Sequence, residues 1–191
     1  MARGEGGQQA CLAITLAAVL LGGVLTLPPR TAAAASGHPV TTTLLANREF
    51  GPTLLQGIRE ARRSILCCYY LFKLSDNRGN QPRRIVEELI RARNRGVEVA
   101  VILEAQGGRK KDRLDADNHA TAAYLTRGGV RVFFDSPAVT THTKVTVIDD
   151  RYVYLGSHNL TQGALTHNNE LSVLIDSPEL AEEVRAAIKR L

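Results

Sequence analysis

The sequence predicts an α/β fold, a mixed central β-sheet flanked by helices. Three observations predict it. Apolar runs of strand length alternate with stretches of helical periodicity. The succession strand, helix, strand over residues 64–103 implies a right-handed parallel crossover. Two later strands meet at the short turn DDR, which makes an antiparallel hairpin and so a mixed sheet.

Each element has its own local reason. Residues 47–63 set Phe50, Leu54, Leu55, Ile58 and Ala61 at helical spacing. SILCCYYLF (64–72) is almost continuously apolar, as a buried strand is. Its neighbours Cys67 and Cys68 point to opposite faces, so they are poor disulfide partners and lack metal-site spacing. We read both as small buried side chains. Tyr69, Tyr70 and Phe72 are expected to form core and cleft wall.

SDNRGNQP is a loop. Pro82 suits the first turn of a helix whose stripe is Ile85, Val86, Leu89, Ile90 and Ala92, with Gly96 as its C-terminal cap. VEVAVIL (97–103) is the second strand. A polar loop with Arg109, Lys110, Lys111 and Arg113 follows, then a helix over 117–127 closed by Gly128 and Gly129. VRVFF is the third strand. Residues 141–148 and 152–155 are the fourth and fifth, and NNELSVLID is the sixth. Ser177 as N-cap and Pro178 after it start the last helix. No internal repeat is present.

With 191 residues and 44% hydrophobic composition, the chain suffices for one ordinary domain with a real core. There is no Trp and aromatics are only 5%, which argues against many base-stacking platforms. The net charge of +5 suits an anionic partner, nucleic acid or a phospholipid surface, without choosing between them.

The first 35 residues differ from the rest. Arg3 precedes CLAITLAAVLLGGVLTL, an uncharged apolar run of 17 residues, and small residues follow Pro28, Pro29 and Arg30. This order reads as a secretory signal cleaved near Ala34 or Ala35. The run is also at the lower edge for a membrane span, so the alternative is an uncleaved anchor. Either places residues 36–191 outside the cytosol. With Arg3, Arg30 and Glu5 removed, 22 Lys and Arg face 18 Asp and Glu, and this body stays basic at +4.

The chemistry is concentrated in THTKVTVIDDRYVYLGSHNLT (141–161). Residues i and i+2 of a strand share a face, so His142 and Lys144 point one way. Ser157 and Asn159 stand in the same relation after the next strand. If the two strands pair, an imidazole, an ammonium, a hydroxyl and an amide converge. This is a poor set for a hard metal and a good one for an oxyanion, above all phosphate. His142 alone among the four can act as nucleophile or proton donor near neutral pH. Asp149, at the turn, faces away from His142 and reads as structural support.

The full spacing is His142-x-Lys144, four residues, Asp149, six residues, Gly156-Ser157-x-Asn159. It closely resembles the signature of the phospholipase D superfamily. From about residue 47 to 190 the element order looks like the superfamily's small bacterial endonuclease branch, whose members are exported and carry one motif each. The resemblance implies a phosphohistidine mechanism without metal or cofactor. One His attacks phosphorus, a second protonates the leaving oxygen, and Lys144, Ser157 and Asn159 hold the non-bridging oxygens. It gives Glu170 the role of accepting a hydrogen bond from the catalytic imidazole. None of His38, His119, His158 or His167 sits in a second motif, so the resemblance also implies a homodimer that pools two motifs. His158 alternates to the other side from Ser157 and Asn159 and is not expected to be catalytic.

Three functions compete. The first is a metal-independent endonuclease, with Arg109, Lys110 and Lys111 drawing in the polyanion or standing as a solvated loop. The second is a phospholipase D releasing phosphatidate, favoured by the apolar N-terminus. The third is a non-catalytic nucleic-acid or lipid binder, which an intact motif argues against.

Overall fold

The structure is a computed structural model in which residues 40–75, 79–105 and 113–191 are described. The N-terminal segment and the loop carrying Arg109, Lys110 and Lys111 lie outside the described residues. Among the described residues no helix is long and apolar enough to cross a membrane.

Seven strands form one sheet: β1 (Thr41–Ala46), β2 (Ser64–Tyr69), β3 (Glu98–Leu103), β4 (Arg131–Phe134), β5 (Lys144–Ile148), β6 (Tyr152–Gly156) and β7 (Leu171–Asp176). Their order is β1-β7-β6-β5-β2-β3-β4. The helices are α1 (Phe50–Glu60), α2 (Gln81–Asn94), α3 (Arg113–Arg127), α4 (Gln162–Thr166) and α5 (Pro178–Ile188). The predicted class is therefore observed.

β2 is the seam between two halves. It pairs in parallel with β3, which pairs in parallel with β4, and antiparallel with β5 on its other side. The expected crossover runs through α2. This helix opens with Asn80, whose side chain accepts from Arg83 N at 2.9 Å, and it is followed by Gly96 at φ 93°, a conformation Gly adopts without strain. Ser177 caps α5 as predicted, accepting from Leu180 N at 3.1 Å.

The core lies on both faces. One face packs Leu54, Leu55 and Ile58 of α1, Ile85, Val86 and Leu89 of α2, and Leu125 of α3 against Cys67, Tyr69, Val101 and Leu103. The other packs Ala181 and Ile188 of α5 against Leu66, Cys68, Val147 and Val153. Cys67 and Cys68 are thus buried on opposite sides, both as free thiols. Each fully buried Leu, Ile or Phe contributes about 1.5–3 kcal/mol.

Four boundaries differ from expectation. β1 was not anticipated: four of its six residues are exposed, so it carries no buried stripe to read. α4 has only 5 residues, too few for a periodicity. α3 starts at Arg113, inside what reads as a polar loop. The first predicted helix opens as a 3-10 turn over Asn47–Glu49, with Asn47 at φ 50°, and α1 proper starts at Phe50.

Candidate active site

β5 and β6 pair as an antiparallel hairpin, with Val145 opposite Leu155 and Ile148 opposite Tyr152. Asp149 and Asp150 both have φ 55°, the mirror-image turn that suits the right-handed twist of paired strands. Arg151 N closes the turn on Ile148 O at 3.1 Å.

The Asp149 carboxylate accepts from the backbone amides of Arg62 (3.0 Å), Arg63 (2.7 Å) and Ser64 (3.1 Å). It therefore ties the hairpin to the link between α1 and β2. Burial alone would raise this carboxyl, but the three amides outweigh it and hold it below the ordinary carboxylate value.

The other end of the hairpin carries the motif. β5 begins at Lys144, so His142 lies just before the strand, although Tyr70 N still bonds Thr143 O at 2.9 Å and extends the ladder. His142 is exposed and Lys144 is buried. Lys144 Nζ lies 2.8 Å from His142 O and 3.2 Å from His142 Nδ1, and 5.1 Å from the centre of the Tyr70 ring. Tyr70 also packs on the imidazole, with ring centroids 4.5 Å apart. An ammonium only donates, so Nδ1 accepts and the neutral ring carries its proton on Nε2. Burial lowers the Lys144 pKa, and the charge of Glu170 opposes that shift.

At Gly156 β6 runs close to β7. A Cβ there would lie 2.4 Å from Ser172 Cα and 2.5 Å from Leu171 O. Beyond it, Ser157 N donates to Leu171 O at 3.0 Å, and Ser157 Oγ accepts from Leu171 N at 3.1 Å. The Ser157 hydroxyl donates its proton to Glu170. Glu170 takes a second bond from Asn168 Nδ2 at 3.0 Å. Its partners are thus Ser157 and Asn168 rather than the His142 ring. Asn159 has a buried Oδ1 that no donor reaches among the described residues. His158 points into the core, fully buried.

The segment leaving β2 closes the floor beneath both motif halves. Tyr70 N reaches Thr143, Leu160 N donates to Leu71 O at 3.1 Å, and Lys73 N donates to Leu160 O at 3.0 Å. The buried Asn118 of α3 braces it, accepting from Phe72 N at 2.9 Å and donating to Tyr70 O (2.9 Å) and Glu104 O (3.0 Å). Sequence reasoning missed Asn118. Its signal was a polar side chain on the inward face of a helix.

It also missed Glu104 and Asp135 at the ends of β3 and β4. Glu104 is buried and accepts from Thr141 N at 2.5 Å, next to His142. Burial raises its carboxyl, with Asp135 adding to the shift and the Thr141 amide opposing it. Among the described residues no three His, Cys, Asp or Glu side chains are grouped as a metal would require.

The chain is similar to known proteins along most of its described length. A family model for "Cardiolipin synthase, PLD-like domain" matches residues 54–191. A polyphosphate kinase of Salmonella typhimurium is 30% identical over 121 residues, 59% of this chain and 17% of that protein. A phospholipase D of Rickettsia conorii is 33% identical over 98 residues, 51% of this chain and 46% of that protein. The chain thus spans less than half the length of these curated relatives.

Among solved structures, the phospholipase D family member Nuc of Salmonella typhimurium superposes with TM-score 0.64 at 26% identity, over 80% of this chain and 93% of that one. NucT of Helicobacter pylori shares the fold, with TM-score 0.61 at 21% identity over 80% and 95%. A sheet that joins His142 and Lys144 to Gly156, Ser157 and Asn159, and a family model that spans them all, lead to one statement: the chain belongs to the phospholipase D superfamily.

Proposed function

We propose that the chain is a metal-independent phosphodiesterase that cuts nucleic acid through a phosphohistidine, with the active site built by two copies. The observation that carries this reading is the pairing of an exposed imidazole, His142, with a buried ammonium, Lys144 Nζ, 2.8 Å from its carbonyl and 3.2 Å from its ring. Lys144 has three N–H donors and two protein acceptors, which leaves one for a phosphate oxygen. The side-chain N–H groups of Asn159 would be the second donor to the substrate.

In the first step an imidazole nitrogen bonds to phosphorus as the P–O bond to the leaving group breaks. A second imidazole gives that oxygen a proton. In the second step the now neutral second ring takes a proton from water, which attacks phosphorus and frees the first imidazole. The ring found here, neutral with its proton on Nε2, serves as the acid only after it gains a second proton on Nδ1, so that giving one up leaves it neutral. The nucleophile needs Nε2 free and its proton on Nδ1, the tautomer opposite to the one found here; by family resemblance Glu170, now bonded to Ser157, would turn to accept it. His142 of each copy would take one role.

Two features support nucleic acid. The body from residue 36 is basic, and a polar groove of about 280 Å³ lined by Asn47, Arg48, Glu49, His167, Asn168 and Asn169 adjoins Glu170. Arg109, Lys110 and Lys111 would add cations that attract a polyanion. The phospholipid reading draws on the lipid names of the family model and the rickettsial relative, and on the apolar run at residues 11–27. In both readings that run directs the protein out of the cytosol.

The test is cleavage of single-stranded DNA and of phosphatidylcholine side by side in excess EDTA, with His142→Ala as control. We expect DNA to be cut, the lipid spared and the variant at least about 1,000-fold slower. Lipid hydrolysis alone would overturn the nuclease reading. An active species that sediments as a monomer would overturn the shared site.

A further inference from the structure

We propose that Asn47, pinned from the core by His158, is a positioning residue that holds Glu170, and through it Ser157, against the motif. The proposal rests on the phosphodiesterase reading above and adds two residues that no part of the motif defines.

Asn47 follows β1 and sits in the left-handed region at φ 50°. Asn is among the few side-chain-bearing residues that tolerate this region. In that conformation both its backbone and its side chain face the strand start of β7. Asn47 N donates to Glu170 O at 2.8 Å, and Asn47 Oδ1 accepts from Glu170 N at 2.8 Å. Glu170 is therefore clasped on both backbone groups by one residue that is 123 positions away. With its backbone fixed, its carboxylate stays on Ser157 and close enough to Lys144 to hold up that ammonium's pKa.

The third contact of Asn47 leads inward. Its carbonyl lies 2.8 Å from His158 Nε2. A carbonyl only accepts, so Nε2 carries the proton and Nδ1 accepts from Ser172 Oγ, 2.7 Å away. The ring is fully buried and stacks on Phe50 at 4.5 Å with an interplanar angle of 8°. Burial pushes its pKa down, against the Asn47 carbonyl and Glu170, so it stays neutral in one tautomer. His158 is thus a fixed donor, not a proton carrier. It sits between Ser157 and Asn159, so one turn after β6 sends two side chains to the site and one to the residue that steadies it.

The test compares Asn47→Gly with Asn47→Asp in the full chain. Gly keeps the backbone conformation and removes the acceptor. Asp keeps both. Three readouts are taken: kcat and KM on DNA, amide exchange at Glu170, and the titration of Lys144 followed at its Cε by NMR. The charged or titratable groups around that ammonium are His142, Tyr70 and Glu170.

We expect Asn47→Gly to lose Glu170 amide protection, to lower kcat by about tenfold or more with KM within about twofold, and to let Lys144 titrate lower. Asn47→Asp should restore most of kcat. His158→Phe, which keeps the stack and drops the donor, should follow Asn47→Gly. Unchanged kcat and unchanged Lys144 titration in a folded Asn47→Gly protein would overturn the proposal. A wild type inactive on every phosphodiester would overturn the catalytic reading instead. The Lys144 titration would then decide this one.

Discussion

Replacing Gly156 with Ala adds one methyl where there is no room. The new Cβ would meet Ser172 Oγ at 2.3 Å, Ser172 Cα at 2.4 Å and Leu171 O at 2.5 Å. Ordinary carbon contacts begin near 3.5 Å, so the shortfall is about 1 Å. A flexible side chain could swing aside, but two of the three atoms are backbone of the neighbouring strand. Gly156 and Ser172 are register partners in the β6–β7 ladder, so relief requires the two strands to part where the ladder ends. Overpacking costs about 1–3 kcal/mol, and a backbone obstacle puts this case near 3. For a domain of this size that is a fall in Tm of roughly 6–12 °C.

The same displacement moves Ser157 off Leu171 and Glu170, so activity should fall by more than the lost stability explains. The assay is thermal unfolding by circular dichroism together with kcat at a temperature where both proteins are folded. An unchanged Tm would refute the close approach. A lowered Tm with wild-type kcat would refute the link between strand spacing and site.

Two further outcomes follow from the carboxylates. Asp149→Asn gives up a charged acceptor of three backbone amides and should cost about 1–3 kcal/mol at pH 7, read by urea unfolding. Because the folded state lowers this pKa, the stabilisation is complete above the ordinary carboxylate value. It is lost as pH falls through the folded value, so the two proteins should converge in acid. Glu104→Gln should act in the opposite sense. Its carboxyl is raised in the fold, so the wild type loses stability as pH climbs through that raised value. The amide keeps the acceptor for Thr141 N and stays neutral, so its Tm advantage should open above the ordinary carboxylate range.

Most of the sheet could be read from the chain because its central strands are buried and local. VEVAVIL and SILCCYYLF announce themselves by composition, and DDR can hardly be anything but a turn. β1 could not be read, since an exposed edge strand such as Thr41–Ala46 is defined by a partner, β7, that lies far along the chain. The spacing of His142, Lys144, Ser157 and Asn159 exposed the site for a similar reason: two strands of one hairpin bring them together. Glu104, Asn118 and Asn47 escaped because each acts through backbone atoms of residues remote in sequence. The left-handed turn at Asn47 leaves no trace in composition at all. Nor does spacing reveal that the Ser157 hydroxyl donates to Glu170.

β2 joins two strand directions, and the geometry at its ends has an evolutionary corollary. At one edge the chain is stitched by Asp149 to three amides, and that edge contains no motif residue except Asp149 itself. At the other edge the carboxyl ends of β2 and β3 meet the start of β5, where Tyr70 packs on the His142 ring and Glu104 holds Thr141 beside it. Insertions and exchanges in the connections at that edge can reshape what is admitted without disturbing the stitched edge. A scaffold divided in this way can change its clientele through loops alone, so graft experiments between relatives should transfer preference while leaving the unfolding temperature almost where it was.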